Sequence, residues 1–138
     1  MKRFLSANDV LESIQFKDGT DNNLDSVHYL LTMVAIDMAA WFLSKGKVMT
    51  ITDLISTLSE DVDLNRDSDA HRTKRGMDVR SSELREEEQY QFLEHFNDKY
   101  KDIASVSRSD NKARLVVLHG KGVNKHFHVA LNFIYGDR

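Results

Sequence analysis

The stretch Lys125-His126-Phe127-His128-Val129-Ala130-Leu131-Asn132-Phe133 places two histidines two residues apart in a run that alternates with apolar side chains. Read as a strand, it turns His126, His128, Ala130 and Asn132 to one face and Phe127, Val129, Leu131 and Phe133 to the other. The second face can anchor a core, while the first presents adjacent imidazoles. Imidazole binds divalent metals and moves protons near neutral pH, so this face is a candidate metal or catalytic constellation that needs a further ligand. The segment His71-Arg72-Thr73-Lys74-Arg75-Gly76-Met77-Asp78 offers two. A loop entering a short strand can bring His71 and Asp78, seven positions apart, to one point. With His128 they form a set of two imidazoles and one carboxylate that leaves a metal ion's fourth position to water, the pattern of hydrolytic zinc. His126 is placed beside the ligands, as a hydrogen-bonding neighbour or a contact to a transition-state oxyanion. His119 lies at the other end of the hairpin loop and can approach the same face. His28 and His95 fall in helical segments and read as ordinary surface or core histidines.

These residues need elements to hold them. A short helix is expected at Asn8 to Gln15, then a polar loop from Lys17 to Asn23. A long apolar helix follows from about Leu24 to Lys45, with Gly46 as its C-terminal cap. Val48 to Ile51 reads as a strand, Asp53 to Leu58 as extended chain or a turn, Ser59 to Arg75 as a charged loop, and Met77 to Arg80 as a short strand. A second helix runs from Ser82 to about Tyr100, with Phe92, Leu93, Phe96, Tyr100 and Ile103 at helical spacing. Glu83, Glu86, Glu87 and Glu88 near its start suit the helix dipole, and Asp37 reads as an exposed or capped carboxylate. Arg114 to His119 and His126 to Tyr135 form a hairpin around Gly120 to Lys125. The layout is α+β: N-terminal helices packed on a small antiparallel sheet that carries the metal site.

A chain of 138 residues suits a single domain spanning 1–138. A net charge of -3 and a pI near 6.0 give no global attraction to nucleic acid or anionic membrane. The absence of cysteine excludes disulfides and thiolate metal sites. Met1-Lys2-Arg3-Phe4-Leu5-Ser6 lacks the apolar core of a signal peptide. The longest apolar run, Tyr29 to Leu43, carries Asp37 and falls short of the ~20 residues a membrane span needs. The expectation is a protein cytoplasmic in its producing cell, released by lysis or carried in a particle.

The metal-site pattern resembles a family: the zinc D-alanyl-D-alanine carboxypeptidases and L-alanyl-D-glutamate endopeptidases that cut bacterial cell-wall peptides, a family that includes phage lysins and phage structural proteins. Its signature is a histidine, six intervening residues, an aspartate, and a later histidine on a strand, often in a His-x-His pair. His71, Asp78 and His128 fall on those positions, and His126 matches the paired histidine. The resemblance covers about Val48 to Phe133. It implies a Zn2+ cofactor, a peptidoglycan peptide as substrate, and attack of a metal-activated water on an amide. Arg66 is the candidate for an arginine that the family carries before its first ligand. Two positions depart from the pattern. Lys74 stands where the family has glycine, with Gly76 two residues further on, and Lys125 stands where it has an acidic general base. The resemblance therefore implies a metal-binding scaffold without the usual proton acceptor. Two alternatives follow: a catalytically silent metal-binding structural protein on the same scaffold, and a metal-dependent DNA nickase of the His-hydrophobic-His type. The nickase needs a tyrosine on a downstream helix, and only Tyr135 follows the histidine pair.

Overall fold

Ser6 caps the first helix, α1 (Ala7–Ser13), through a capping box in which Ser6 Oγ accepts from the Asp9 N–H and the Asp9 carboxylate accepts from the Ser6 N–H. The computed structural model describes residues 4–20, 23–56, 58–64 and 68–137; Arg66 lies outside them. The chain continues through β1 (Gln15–Phe16) to α2 (Tyr29–Ser44). This helix starts later than Leu24 because His28 is its N-cap: His28 Nδ1 accepts from the Leu30 N–H at 3.1 Å. Most of its circumference is apolar, and Leu31, Val34, Ala35, Met38, Ala39 and Phe42 are buried.

After α2 come β2 (Thr50–Asp53), α3 (Leu58–Asp63), β3 (Gly76–Arg80) and α4 (Glu86–Lys99). Two short strands, β4 (Ser105–Val106) and β5 (Ala113–Arg114), pair as a separate ribbon. The chain ends through β6 (Val116–His119), β7 (His126–Ala130) and a 3-10 turn at Phe133–Tyr135. The main sheet has the order β1-β2-β3-β7-β6. Its pairs are antiparallel except β1 with β2, so the expected antiparallel sheet carries one parallel strand at its edge. The α+β class holds, with four α-helices and a mixed five-stranded sheet among the described residues.

Three expectations are corrected locally. The charged tract from Ser59 is not all loop, since Leu58–Asp63 is helical. The last strand stops at Ala130 and does not reach Tyr135, because Asn132 turns the chain by accepting the Ile134 N–H on its side-chain oxygen. Phe133 is consequently 62% exposed and does not join the core face. His28 is a helix cap, its ring stacked on Tyr29 at 4.8 Å and edge-on to Tyr135 at 5.0 Å.

One apolar core lies between α2, α4 and the sheet. Phe127 and Val129 of β7 and Met77 and Val79 of β3 point into it and are fully buried. Phe92 is its centre, with Phe127 at 4.3 Å, Phe96 at 4.8 Å, Trp41 at 5.2 Å and Phe42 at 5.7 Å between ring centroids. Polar ties join the helices around this core. Asp37 of α2 accepts from Tyr100 Oη at 2.6 Å and from Lys99 Nζ. Burial, then the hydrogen bond to Asp37 and lastly its charge, pushes the Tyr100 hydroxyl pKa well above its ordinary value, so it stays a donor. Glu88 accepts from Lys47 Nζ at 2.8 Å and from the Arg85 N–H at 3.0 Å, locking the start of α4 to the segment after α2. No helix among the described residues is long and apolar enough to cross a membrane.

Candidate metal centre

The register of β3 and β7 builds the site. Asp78 pairs directly with His128, and Arg80 with His126, while β6 sets His119 opposite His126. Alternation sends Asp78 and His128 to the face away from the core, because Met77, Val79, Phe127 and Val129 take the other. His71 arrives from the turn before β3. That turn packs closely on the strand: a Cβ at Gly76 would lie 2.6 Å from the Ala70 Cβ, so only glycine lets the His71 loop approach so near. The turn also holds Lys74 at φ 62, a left-handed conformation that glycine adopts freely and lysine rarely does. The lysine at the departing position thus keeps the backbone shape that glycine favours.

His71, Asp78 and His128 form the one group of three among the described residues that could hold a metal ion, with ligand atoms all within 4.8 Å of one another. His71 Nε2 lies 3.3 Å and His128 Nδ1 lies 2.9 Å from Asp78 Oδ1. Ligands about 2.0–2.1 Å from a tetrahedral ion stand roughly 3.3 Å apart, which the His71–Asp78 separation matches, while His128 Nδ1 stands at hydrogen-bond distance from the same oxygen. The donor chemistry fits as well. His71 Nδ1 donates to the Leu54 carbonyl at 3.1 Å, since a carbonyl can only accept. In the neutral ring Nε2 then carries a lone pair aimed at a carboxylate oxygen. Two acceptors at that separation require a cation between them, either a second proton on the imidazole or a metal. The backbone carbonyl that fixes the ring's tautomer is the usual orienting partner of a metal-bound histidine. Burial alone would raise the Asp78 pKa. The hydrogen bonds from His128 and His71, together with their charge when protonated, hold the carboxyl well below the usual carboxylate range.

Exposure rises across the group. His71 is 2% exposed and Asp78 9%, His128 and His126 are half-buried, and His119 is exposed. The site is closed behind His71 and open toward the β6–β7 hairpin. His126 Nδ1 donates to the Asn124 carbonyl at 2.7 Å, leaving Nε2 directed to the site, 3.8 Å from Asp78 Oδ2. That distance is beyond a hydrogen bond and keeps His126 beside the group of three. His119 joins the same face, its ring 5.7 Å from His126 and 6.5 Å from His128. All five residues singled out from the sequence are therefore neighbours. The carbonyls of Leu54 and Asn124 were not foreseen, because a backbone oxygen has no signal in residue type. Tyr135 sits on a 3-10 turn against His28, not on a helix.

Comparison with protein-family models, curated proteins and solved structures finds no match for this chain. The site's chemistry stands on its own geometry.

Proposed function

We propose that this protein is a zinc-dependent hydrolase of bacterial cell-wall peptides, with His71, Asp78 and His128 as zinc ligands. The observation that carries the metal reading is the convergence of His71 Nε2 and His128 Nδ1 on one oxygen of the Asp78 carboxylate, at 3.3 and 2.9 Å, with the Leu54 carbonyl holding the His71 ring. Two imidazoles and one carboxylate suit zinc and leave room for water; the same donors also serve Fe(II), so zinc is the ion that the hydrolytic reading chooses. The signature spacing of His71, Asp78, His126 and His128 supports the peptidase reading, and so does the left-handed turn kept at Lys74.

Bound zinc would lower the pKa of its water and polarise the amide carbonyl. The chain's own groups do the rest. Asp78 holds its negative charge at the floor of the site, and the Leu54 carbonyl keeps His71 in the ligating tautomer. His126, tied at Nδ1, presents Nε2 as an acceptor when neutral and as a donor to an oxyanion once protonated. His119, on the exposed rim, is the next group able to move a proton. Lys125 cannot accept the water's proton when charged, so hydrolysis is weak in the native chain. That same lysine favours a second reading, a metal-binding structural protein that does not turn over.

The test is digestion of purified peptidoglycan by zinc-loaded native protein and Lys125→Glu, read as new amino termini. The expected result is slow release by the native protein and a gain on the order of 10² or more in the variant. A brisk native enzyme that the substitution slows would put the base elsewhere, His119 first. No release from either zinc-loaded protein would leave the silent reading.

A further inference from the structure

Beyond the Gly76–Ala130 end of the β3–β7 pair lies a cavity of about 720 Å³ that shares no lining residue with the metal group. Three arginines reach it from different segments: Arg72 and Arg75 from the turn before β3, and Arg108 from the loop after β4. Asp69 is the one acidic residue of the lining. Arg75 Nη2 donates to it at 2.8 Å, and Arg75 Nη1 donates to the Leu131 carbonyl at 2.7 Å. Arg75 is 6% exposed, and its buried Nε has no hydrogen-bond partner among the described residues. Its guanidinium is thus fixed in place before any ligand arrives. Arg72 is steadied from behind by Asp61 at 3.3 Å, a carboxylate outside the lining that also accepts from Ser56 Oγ. Arg108 is exposed and has no partner among the described residues. The lining carries three guanidiniums against the Asp69 carboxylate, and with Asp61 balancing Arg72 from behind one positive charge is left over among these groups. Asn132, Ser68 and Ser105 add neutral polar groups, and Val106 and Phe133, 43% and 62% exposed, form an apolar wall.

We infer that this cavity is a second binding site, independent of the metal, for a small oxyanion, carboxylate or phosphate, carried on an apolar body. Guanidinium forks match both head groups and remain charged at any working pH. A cavity of this volume lies in the range of small-molecule sites, and a few placed polar groups beside an apolar wall are their usual make-up. The inference does not rest on the peptidase reading.

Calorimetric titration of chelator-treated protein with phenyl phosphate, 3-phenylpropanoate and inorganic phosphate tests it. One of the two aromatic anions should bind at one per chain, more tightly than inorganic phosphate and more weakly as salt rises. Whichever aromatic anion binds better identifies the head group. Arg108→Gln, on an exposed side chain that supports nothing else, should weaken it about tenfold, and Arg72→Gln should weaken it in the same direction. His128→Ala should leave it unchanged. The inference is overturned if neither aromatic anion binds, if both arginine variants bind as the native protein does, or if binding needs added metal.

Discussion

The two faces of β7 share one backbone and differ in almost everything else. On one, Phe127 and Val129 are fully buried against Phe92 and its aromatic neighbours. On the other, His126 and His128 stand half-exposed around a single carboxylate. The apolar face is redundant, because several rings share the load and the hydrophobic term has no direction. The polar face is not. Each imbalance there is local and directional: Leu54 orients His71, Asn124 orients His126, and Asp78 binds the set together. Rigidity is supplied by the first face and chemistry by the second, and a strand can carry both because alternate side chains are independent.

That division can be attacked from either side. Phe127→Ala should give the largest loss of stability, about 3–5 kcal/mol, since it removes a fully buried ring at the core's centre. Against a total of about 5–15 kcal/mol, denaturant unfolding will show it clearly. The fraction that remains folded should still bind one metal ion per chain; altered stoichiometry would mean that the two faces are coupled.

His126→Ala attacks the other face. It deletes one hydrogen bond to a backbone carbonyl, so stability should change by no more than about 1 kcal/mol. Metal should stay bound while hydrolysis falls on the order of 10². If this variant loses metal as fully as His128→Ala does, His126 is a ligand.

The smallest expected effect lies away from both faces. The Glu88 carboxyl is held at about 2, first by Lys47 and then by the Arg85 N–H. A depressed acid contributes stability that is present above its unfolded pKa, near 4.5, and is lost as pH falls toward 2. Glu88→Gln should therefore leave the metal site untouched and flatten the acid limb of the stability profile between those values. An unchanged slope in acid unfolding would remove Glu88 from the account.

Much of this arrangement is legible in residue order. The alternation from His126 to Leu131 announces a two-faced strand, and the His71–Asp78 interval announces a loop feeding a strand. Helix α4 shows itself by Phe92, Phe96 and Tyr100. What stayed hidden has physical reasons. Helix α3 sits in a tract whose charges give no apolar period, and β1 is two residues long, recruited by pairing with β2 more than by propensity. The strand ends at Ala130 through an Asn132 side-chain contact that strand periodicity does not encode. The tight Gly76–Ala70 approach that delivers His71 is visible as a glycine, but its partner is fixed only by the fold. The arginine-lined cavity draws on three separate segments that no local pattern connects.

The central claim is that His71, Asp78 and His128 hold one divalent ion, zinc in our reading. Calorimetric zinc titration of the chelator-stripped native protein, beside His71→Ala, Asp78→Asn and His128→Ala, tests it most directly. The account predicts one zinc per chain in the native protein, with a rise in melting temperature on loading, and loss of stoichiometric binding in each folded variant. A native chain that takes up no zinc, or three variants that bind it as the native protein does, would contradict it.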